Sequence, residues 1–361
     1  MNFDLSEEQE LFCSSVERFS APIDVEARRK LRLSPTGYDR ARWNELAELG
    51  LIALAASEGV GGMGGSPVDL ALVAEAIGKA NSPDPWLELG VLPARLLEAG
   101  GAHAALEGVL AGEAIATLAW AERGQRYNLT ARSVEAERSG DGFVLSGDKT
   151  WVMGALLADQ FIITAQLDGE TACFIAPKDA AGLEVRAYRL ADGSIAGEIK
   201  LTHVAINASA KLDIAPDALA AITNEVRQLA AAEMVGLSQR LLDDTLQYTK
   251  EREQFGVAIG SFQALQHRLV DCYAKTEQSR SMLYRTALSN RDQSDWKRAA
   301  AGAKAFIGEN AEAIAREAVQ MHGGMGITEE LAIGHAMKRV MVLARLFGDT
   351  DTVLSEYALA A

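Results

Sequence analysis

Residues 116–212 read as a run of short β-rich segments, and they interrupt a chain whose remainder has the period of helix. That interruption narrows the fold more than any other feature. Segments 142–149, 160–167, 171–176, 183–190 and 198–206 are separated by Asp-Gly or other glycine-containing turns, which predicts a compact antiparallel barrel or sandwich. Before them, Ser6-Glu7-Glu8-Gln9 opens a helix, with Ser6 as N-cap and Gln9 as its capping-box partner. A second helix over 42–49 carries Trp43 and Leu46 on one side, and an apolar helix spans 68–77. The helical period returns from Asp217, where Leu237, Leu241 and Tyr248 share a stripe. Further helices are expected over 263–290, 297–321 and 332–347. The chain thus divides into a helical segment 1–115, a β segment 116–214 and a helical segment 215–361.

The glycine run from Gly59 to Gly65 has neither the Gly-Lys-Ser/Thr ending of a phosphate loop nor a strand before it, so it reads as a tight interhelical turn. Cys13, Cys173 and Cys272 are odd in number, far apart and form no Cys-x-x-Cys pair. This argues against a disulfide framework or a structural zinc, and the five histidines lack metal-ligand spacing. No apolar run is long enough to span a bilayer, and Met1-Asn2-Phe3-Asp4 lacks the basic start of a signal peptide. A cytoplasmic location is expected. The formal charge of −15, with no basic stripe, disfavours nucleic acid as a partner. It does not forbid a local basic pocket for a small anion.

Glycine clusters are uncommon in helical proteins unless backbone must approach something closely. One such cluster ends a long helix here: Gln320-Met321-His322-Gly323-Gly324-Met325-Gly326. Another helix ends in Arg252-Glu253-Gln254-Phe255-Gly256, and Lys149-Thr150-Trp151 lies in the β segment. With Phe3-Asp4-Leu5-Ser6-Glu7-Glu8-Gln9 at the start and the Gly61-Gly62-Met63-Gly64 turn, the chain resembles the acyl-CoA dehydrogenase family over nearly its whole length. The resemblance implies a mixed α and β fold: an N-terminal helical domain, a central antiparallel β-barrel-like domain and a C-terminal four-helix bundle.

It also implies FAD as cofactor, whose parts need cationic, hydrogen-bonding and stacking groups. Trp151 matches the family tryptophan that lies against the flavin, Arg252 the arginine that meets the pyrophosphate, and Phe255 the phenylalanine packed near the adenosine. Gln263 resembles a glutamine near the same half of the cofactor. Gln320, Gly323 and Gly324 match the stretch that reaches the cofactor from a neighbouring subunit, and Thr350 a threonine that contacts it. Plainer readings stand beside these: Trp151 as a strand aromatic in a core, Arg252 as a cation favoured at a helix end, Gly323 as a helix C-cap. Two departures from the family pattern each remove a hydroxyl donor to the ring: Ala121 replaces a threonine in Trp120-Ala121-Glu122-Arg123-Gly124, and Met153 replaces another after Trp151.

The reaction that the resemblance implies needs a carboxylate to take the α-proton of an acyl-CoA thioester. Its usual position is Gly348 here, in Phe347-Gly348-Asp349-Thr350. A second family position, one residue before the arginine matched by Arg227, is Val226. Three carboxylates are candidate substitutes. Asp349 adjoins the usual site, Glu225 adjoins the second but points about 100° away around a helix, and Glu233 interrupts an apolar helical face. Helix-end polarity for Asp349 and a structural ion pair for Glu233 are the alternatives. Arg227 is a candidate substrate-binding residue.

The expected function is α,β-desaturation of an acyl-CoA by an FAD enzyme that passes electrons to an electron-transfer flavoprotein, as a homo-oligomer or a heteromer. The Phe347-Gly348-Asp349 variant resembles the degenerate subunits of heteromeric bacterial acyl-CoA dehydrogenases, so a non-catalytic or half-site subunit is one alternative. A flavoprotein of the same fold with other chemistry, such as nitroalkane oxidation, is another. A DNA-associated member of the fold is disfavoured by the acidic charge.

Overall fold

The computed structural model describes residues 5–19, 25–289 and 294–359. Met1 to Asp4, and Asn290 at the expected end of one helix, lie outside them. In chain order the elements are helices α1 (Glu7–Phe19), α2 (Val25–Leu33), α3 (Arg40–Glu48), α4 (Pro67–Lys79), α5 (Leu92–Ala99) and α6 (His103–Leu110). Strands β1 (Ala116–Ala119), β2 (Glu135–Ser139), β3 (Gly142–Met153), β4 (Gln160–Leu167), β5 (Glu170–Pro177), β6 (Leu183–Arg189), β7 (Ile195–Asn207) and β8 (Lys211–Leu212) follow. The long helix α7 (Pro216–Glu251) leads through a hairpin, β9 (Glu253–Gln254) and β10 (Val257–Ala258), to α8 (Gln263–Ala287), α9 (Ser294–His322), α10 (Ala332–Leu343) and α11 (Thr350–Leu359). The helix–strand–helix succession is the one expected, with α11 added to the four helices of the bundle among the described residues.

Compactness groups the chain differently from the segments 1–115, 116–214 and 215–361. One unit gathers residues 1–30, 66–83 and 227–361; the other gathers 31–65 and 84–226. The N-terminal helices are thus shared between the two.

In the first unit, Ser6 and Gln9 form the expected capping box: Gln9 N–H donates to Ser6 Oγ at 3.2 Å and Ser6 N–H to Gln9 Oε1 at 3.1 Å. Helices α4 and α7 come within backbone contact because glycines face the crossing. A Cβ on Gly78 or Gly236 would stand 2.0 Å from the carbonyl oxygen of Glu233 or Glu75. Two ion pairs brace this region, Arg280 with Glu75 at 3.2 Å and Arg339 with Glu233 at 2.6 Å.

In the second unit the eight strands form one sheet in the order β6-β7-β3-β2-β4-β5-β8, with β1 beside β4. Its buried side includes Phe143, Leu145, Phe161, Ile163, Phe174 and Ile199. Most pairs are antiparallel as expected, but β1 runs parallel to β4, and β2 touches β4 in parallel at Glu135 and Gln166. A parallel partner needs a long crossover, and the stretch from Ala119 to Gln160 is long enough to supply one. The glycine run of 59–65 is structural, since a Cβ on Gly62 would meet Ala56 O at 2.1 Å.

Candidate functional site

The β-rich unit holds a groove of about 540 Å³ whose walls include Ala121, Arg123, Arg126, Tyr127, Trp151 and Tyr188. Trp151 reaches it because β3 breaks register against β7 between Lys149 and Val152, and Trp151 itself has φ +50°. Such a bulge re-aims a side chain that regular pleating would send elsewhere. The Trp151 indole N–H is buried and has no partner among the described residues. Trp43, inside the core, has an unpaired indole N–H as well, so it is the groove position that favours a residue that meets a ligand.

Glu122 also lines the groove, and with Lys149 it forms a fully buried pair at 2.7 Å. Lys149 Nζ also donates to Thr164 Oγ1 at 2.8 Å and to Trp120 O at 3.2 Å. The Glu122 carboxylate accepts the backbone N–H groups of Arg132 at 2.9 Å and Ser133 at 2.8 Å. Burial pushes the Lys149 ammonium down to about 8 although Glu122 pulls the other way. Burial works against the Glu122 charge too, yet the bonds from Lys149 and the backbone amides hold it below the usual carboxylate range.

In the helical unit, the Tyr248 ring of α7 stacks on His322 of α9 with centroids 4.2 Å apart. That contact sets the ends of the two helices side by side, and with them two groups of expected cofactor residues. From α7 come Arg252, then the β9–β10 hairpin with Phe255 and Gly256 at its turn (φ +55° and +78°), then Gln263 in the first turn of α8. Positive φ at both turn residues is what a tight hairpin demands. Phe255 is 93% exposed, and Arg252 is exposed with no side-chain partner among the described residues. From α9 come exposed Gln320 and a turn in which Gly323 has φ +60° and Gly326 packs on Val319. Helix capping accounts for Gly323 and close packing for Gly326. Gly324 has neither reason: a Cβ there would meet open space.

The remaining candidates lie far from that end. Arg227 is 25 residues before Arg252 on the same helix, roughly 37 Å along its axis. Arg227 Nε donates to Phe347 O at 2.8 Å, and its two Nη atoms grip the Glu356 carboxylate of α11. Gly348 follows with φ +145°, and a Cβ on it would stand 2.9 Å from Val353 and 3.3 Å from Arg227 Nη2. Asp349 caps α11: its Oδ1 accepts the Thr352 N–H at 3.0 Å and the Thr352 hydroxyl at 2.6 Å. Thr350 opens the same helix. Beneath the turn, Lys304 is buried and donates to Leu343 O at 2.6 Å. Burial, then the charges of Arg227 and Arg345, push Lys304 down to about 7, against Glu312 and Asp349.

The other two carboxylates are engaged as well. Glu233, 3% exposed, holds Arg339 through both oxygens at 2.6 and 3.0 Å, which is the structural ion pair. Glu225 accepts from Arg95 at 3.0 Å in the β-rich unit. Glu122, Lys304 and Glu356 were not singled out in the sequence, and Lys149 only as part of the Lys149-Thr150-Trp151 stretch. A lysine inside an apolar strand or an alanine-rich helix is the one signal that pointed to two of them.

Comparisons with known proteins cover nearly the whole length of the chain. Three family profiles fit in order: acyl-CoA dehydrogenase N-terminal domain over residues 6–117, middle domain over 117–204 and C-terminal domain over 217–358. Acyl-CoA dehydrogenase IpdE2 of Mycolicibacterium smegmatis is 33% identical over 349 residues, covering 95% of this chain and 96% of that protein. The ChsE4-ChsE5 complex from Mycobacterium tuberculosis superimposes with a TM-score of 0.90 at 26% identity, over 99% of this chain and 98% of that one. PigA with FAD and proline gives 0.90 at 25% identity, over 99% and 98%. Among the described residues, no helix is long and apolar enough to cross a membrane.

Proposed function

The chain belongs to the acyl-CoA dehydrogenase family, and we propose that it is a subunit of an FAD-dependent acyl-CoA dehydrogenase whose catalytic base comes from a different chain. The single observation that carries this reading is the turn at Gly348. A glutamate there would need φ +145° and the space taken by Val353 and Arg227. Asp349, one residue on, is tied into the cap of α11, and Glu233 is tied to Arg339. Removal of an α-proton needs a carboxylate free to approach it, and the three candidate carboxylates are each engaged elsewhere.

The residues expected to hold the cofactor are present by contrast, apart from the hydroxyls missing at Ala121 and Met153. FAD, when bound, supplies the acceptor for the hydride that leaves the substrate. Trp151 and the groove beside it would face the ring, with the orphan indole N–H available to it. Arg252, Phe255 and Gln263 at one helix end, and Gln320, Gly323 and Gly324 beside them, would hold the anionic and adenosine parts at a subunit boundary, with Thr350 from the other end of the bundle. FAD in PigA and two differently named chains in the ChsE4-ChsE5 complex support the cofactor and the heteromer. An acyl-CoA thioester as substrate, an electron-transfer flavoprotein as acceptor and a cytoplasmic location complete the reading.

Purification with and without the second dehydrogenase subunit tests it. The chain alone is expected to be poorly flavinated and not bleached by acyl-CoA, and co-expression to restore both properties. A homomer with full FAD occupancy and turnover would overturn the proposal and return Asp349 as base, for a thioester or for a nitroalkane.

A further inference from the structure

We propose that the buried Glu122–Lys149 pair is the positioning device of the Trp151 groove, holding the 120–124 segment and the Trp151 bulge in register for a planar ring. The inference rests on the FAD reading above, because it assigns the ring to that groove. Two sides of the groove come from chain segments that no continuous ladder joins: residues 121–127 on one side, Thr150 and Trp151 on the other. One backbone bond links them, Thr150 N–H to Ala121 O at 2.9 Å. The rest of the link is the lysine. Lys149, next to Thr150 in β3, donates to Trp120 O and to Glu122, on either side of Ala121, and anchors to β4 through Thr164.

Glu122 carries the link further by binding the amides of Arg132 and Ser133. The pair is therefore a clasp over one β-bulge. Cys173 of β5 is the other titratable group near Lys149; burial raises its thiol to about 11, so it stays neutral beside the ammonium.

A buried pair such as this is weak evidence for stability, since an apolar replacement of similar volume often folds as well. Its place at the groove wall, with its hydrogen bonds directed at the two segments or their supports, is what a positioning role requires. Neither residue is proposed to touch the ring. A purely structural pair would make no difference to a ligand once the fold is secured.

The test uses the assembled protein reconstituted with FAD. The double variant Glu122→Gln/Lys149→Met removes both charges together and leaves neither unpaired. It is expected to unfold near the wild-type temperature, yet to bind FAD about tenfold more weakly, the size of one lost charge-assisted bond. The midpoint potential of its bound flavin should shift as well. Thr164→Val, which removes one anchor and keeps the volume, is expected to weaken FAD binding about threefold. Should the double variant fail to fold, Thr164→Val decides alone. Wild-type affinity and potential in the folded variants would overturn the inference while leaving the FAD reading intact. Wild-type protein that binds no FAD even when assembled would overturn both.

Discussion

The two turns that matter most, one in each unit, are built from similar parts and end in opposite states. Each has a cation–carboxylate pair, the buried Lys149 with Glu122 and Arg227 with the half-exposed Glu356, and each has residues at positive φ, Trp151 in one, Phe347 and Gly348 in the other. At Trp151 the pair lies behind a bulge and leaves a groove of about 540 Å³ with an unpaired indole donor. At Gly348 the pair lies across the turn and, with Val353, fills the space where a side chain would go. Room for a ligand survives in the first case and is lost in the second. On the function proposed above, the contrast assigns the chain to cofactor binding rather than proton transfer.

The comparison breaks most visibly at Lys149. Lys149→Met alone leaves the buried Glu122 charge without its cation and is expected to cost about 3–5 kcal/mol in denaturant unfolding. A loss below about 1 kcal/mol would mean that the pair does not hold its region. Gly348→Glu is next. The residue would be forced into glycine-only backbone space and against Val353, a loss of about 2–5 kcal/mol, and acyl-CoA should still not bleach the flavin of the homomer. Gain of turnover would show that the turn opens readily and that the two regions differ only in sequence.

Three smaller effects sharpen the picture. Lys304 is held down to about 7 in the folded chain by burial and flanking arginines, while the unfolded chain keeps its proton to about 10.5. Between these values the unfolded state binds more protons, so stability rises with pH through this group, by at most about 1.4 kcal/mol per pH unit. Wild type should therefore gain on Lys304→Met from pH 7 to 9 in paired denaturant melts; parallel curves would place a charged lysine in the folded core. Asp349→Ala should cost about 1 kcal/mol as a lost N-cap, with turnover of the assembled enzyme unchanged; a drop in the chemical step would make it a base. Glu356→Gln, at a half-exposed carboxylate, should change stability by less than about 1 kcal/mol. A larger loss would mean that Glu356 closes the turn more firmly than its exposure suggests.

Much of the fold was legible because periodicity and turn chemistry are local. The Ser6–Gln9 cap and strand β4 stand where the residues placed them, while the hairpin at Phe255-Gly256 was read only as a helix end. The cofactor candidates came from glycine clusters in helical surroundings and from the family resemblance, whereas the exposure of Phe255 left no trace in the sequence. The parallel pairing of β1 with β4 was not legible, because register across a crossover is decided by tertiary packing. Nor were the pairs Arg227–Glu356 and Glu233–Arg339, whose members lie 129 and 106 residues apart. Ion pairs at such separation leave no periodic trace, and they decide which carboxylates are unavailable. The missing glutamate at Gly348 was readable; the closure of the space around it was not.

Exchange of the substrate α-proton with solvent reports on the base without requiring hydride transfer. The homomer, saturated with FAD and given a non-reducing acyl-CoA analogue in deuterated buffer, should exchange no faster than buffer, while the assembled two-subunit protein should. Exchange by the homomer that disappears in Asp349→Ala would place a working base in this chain and contradict the account.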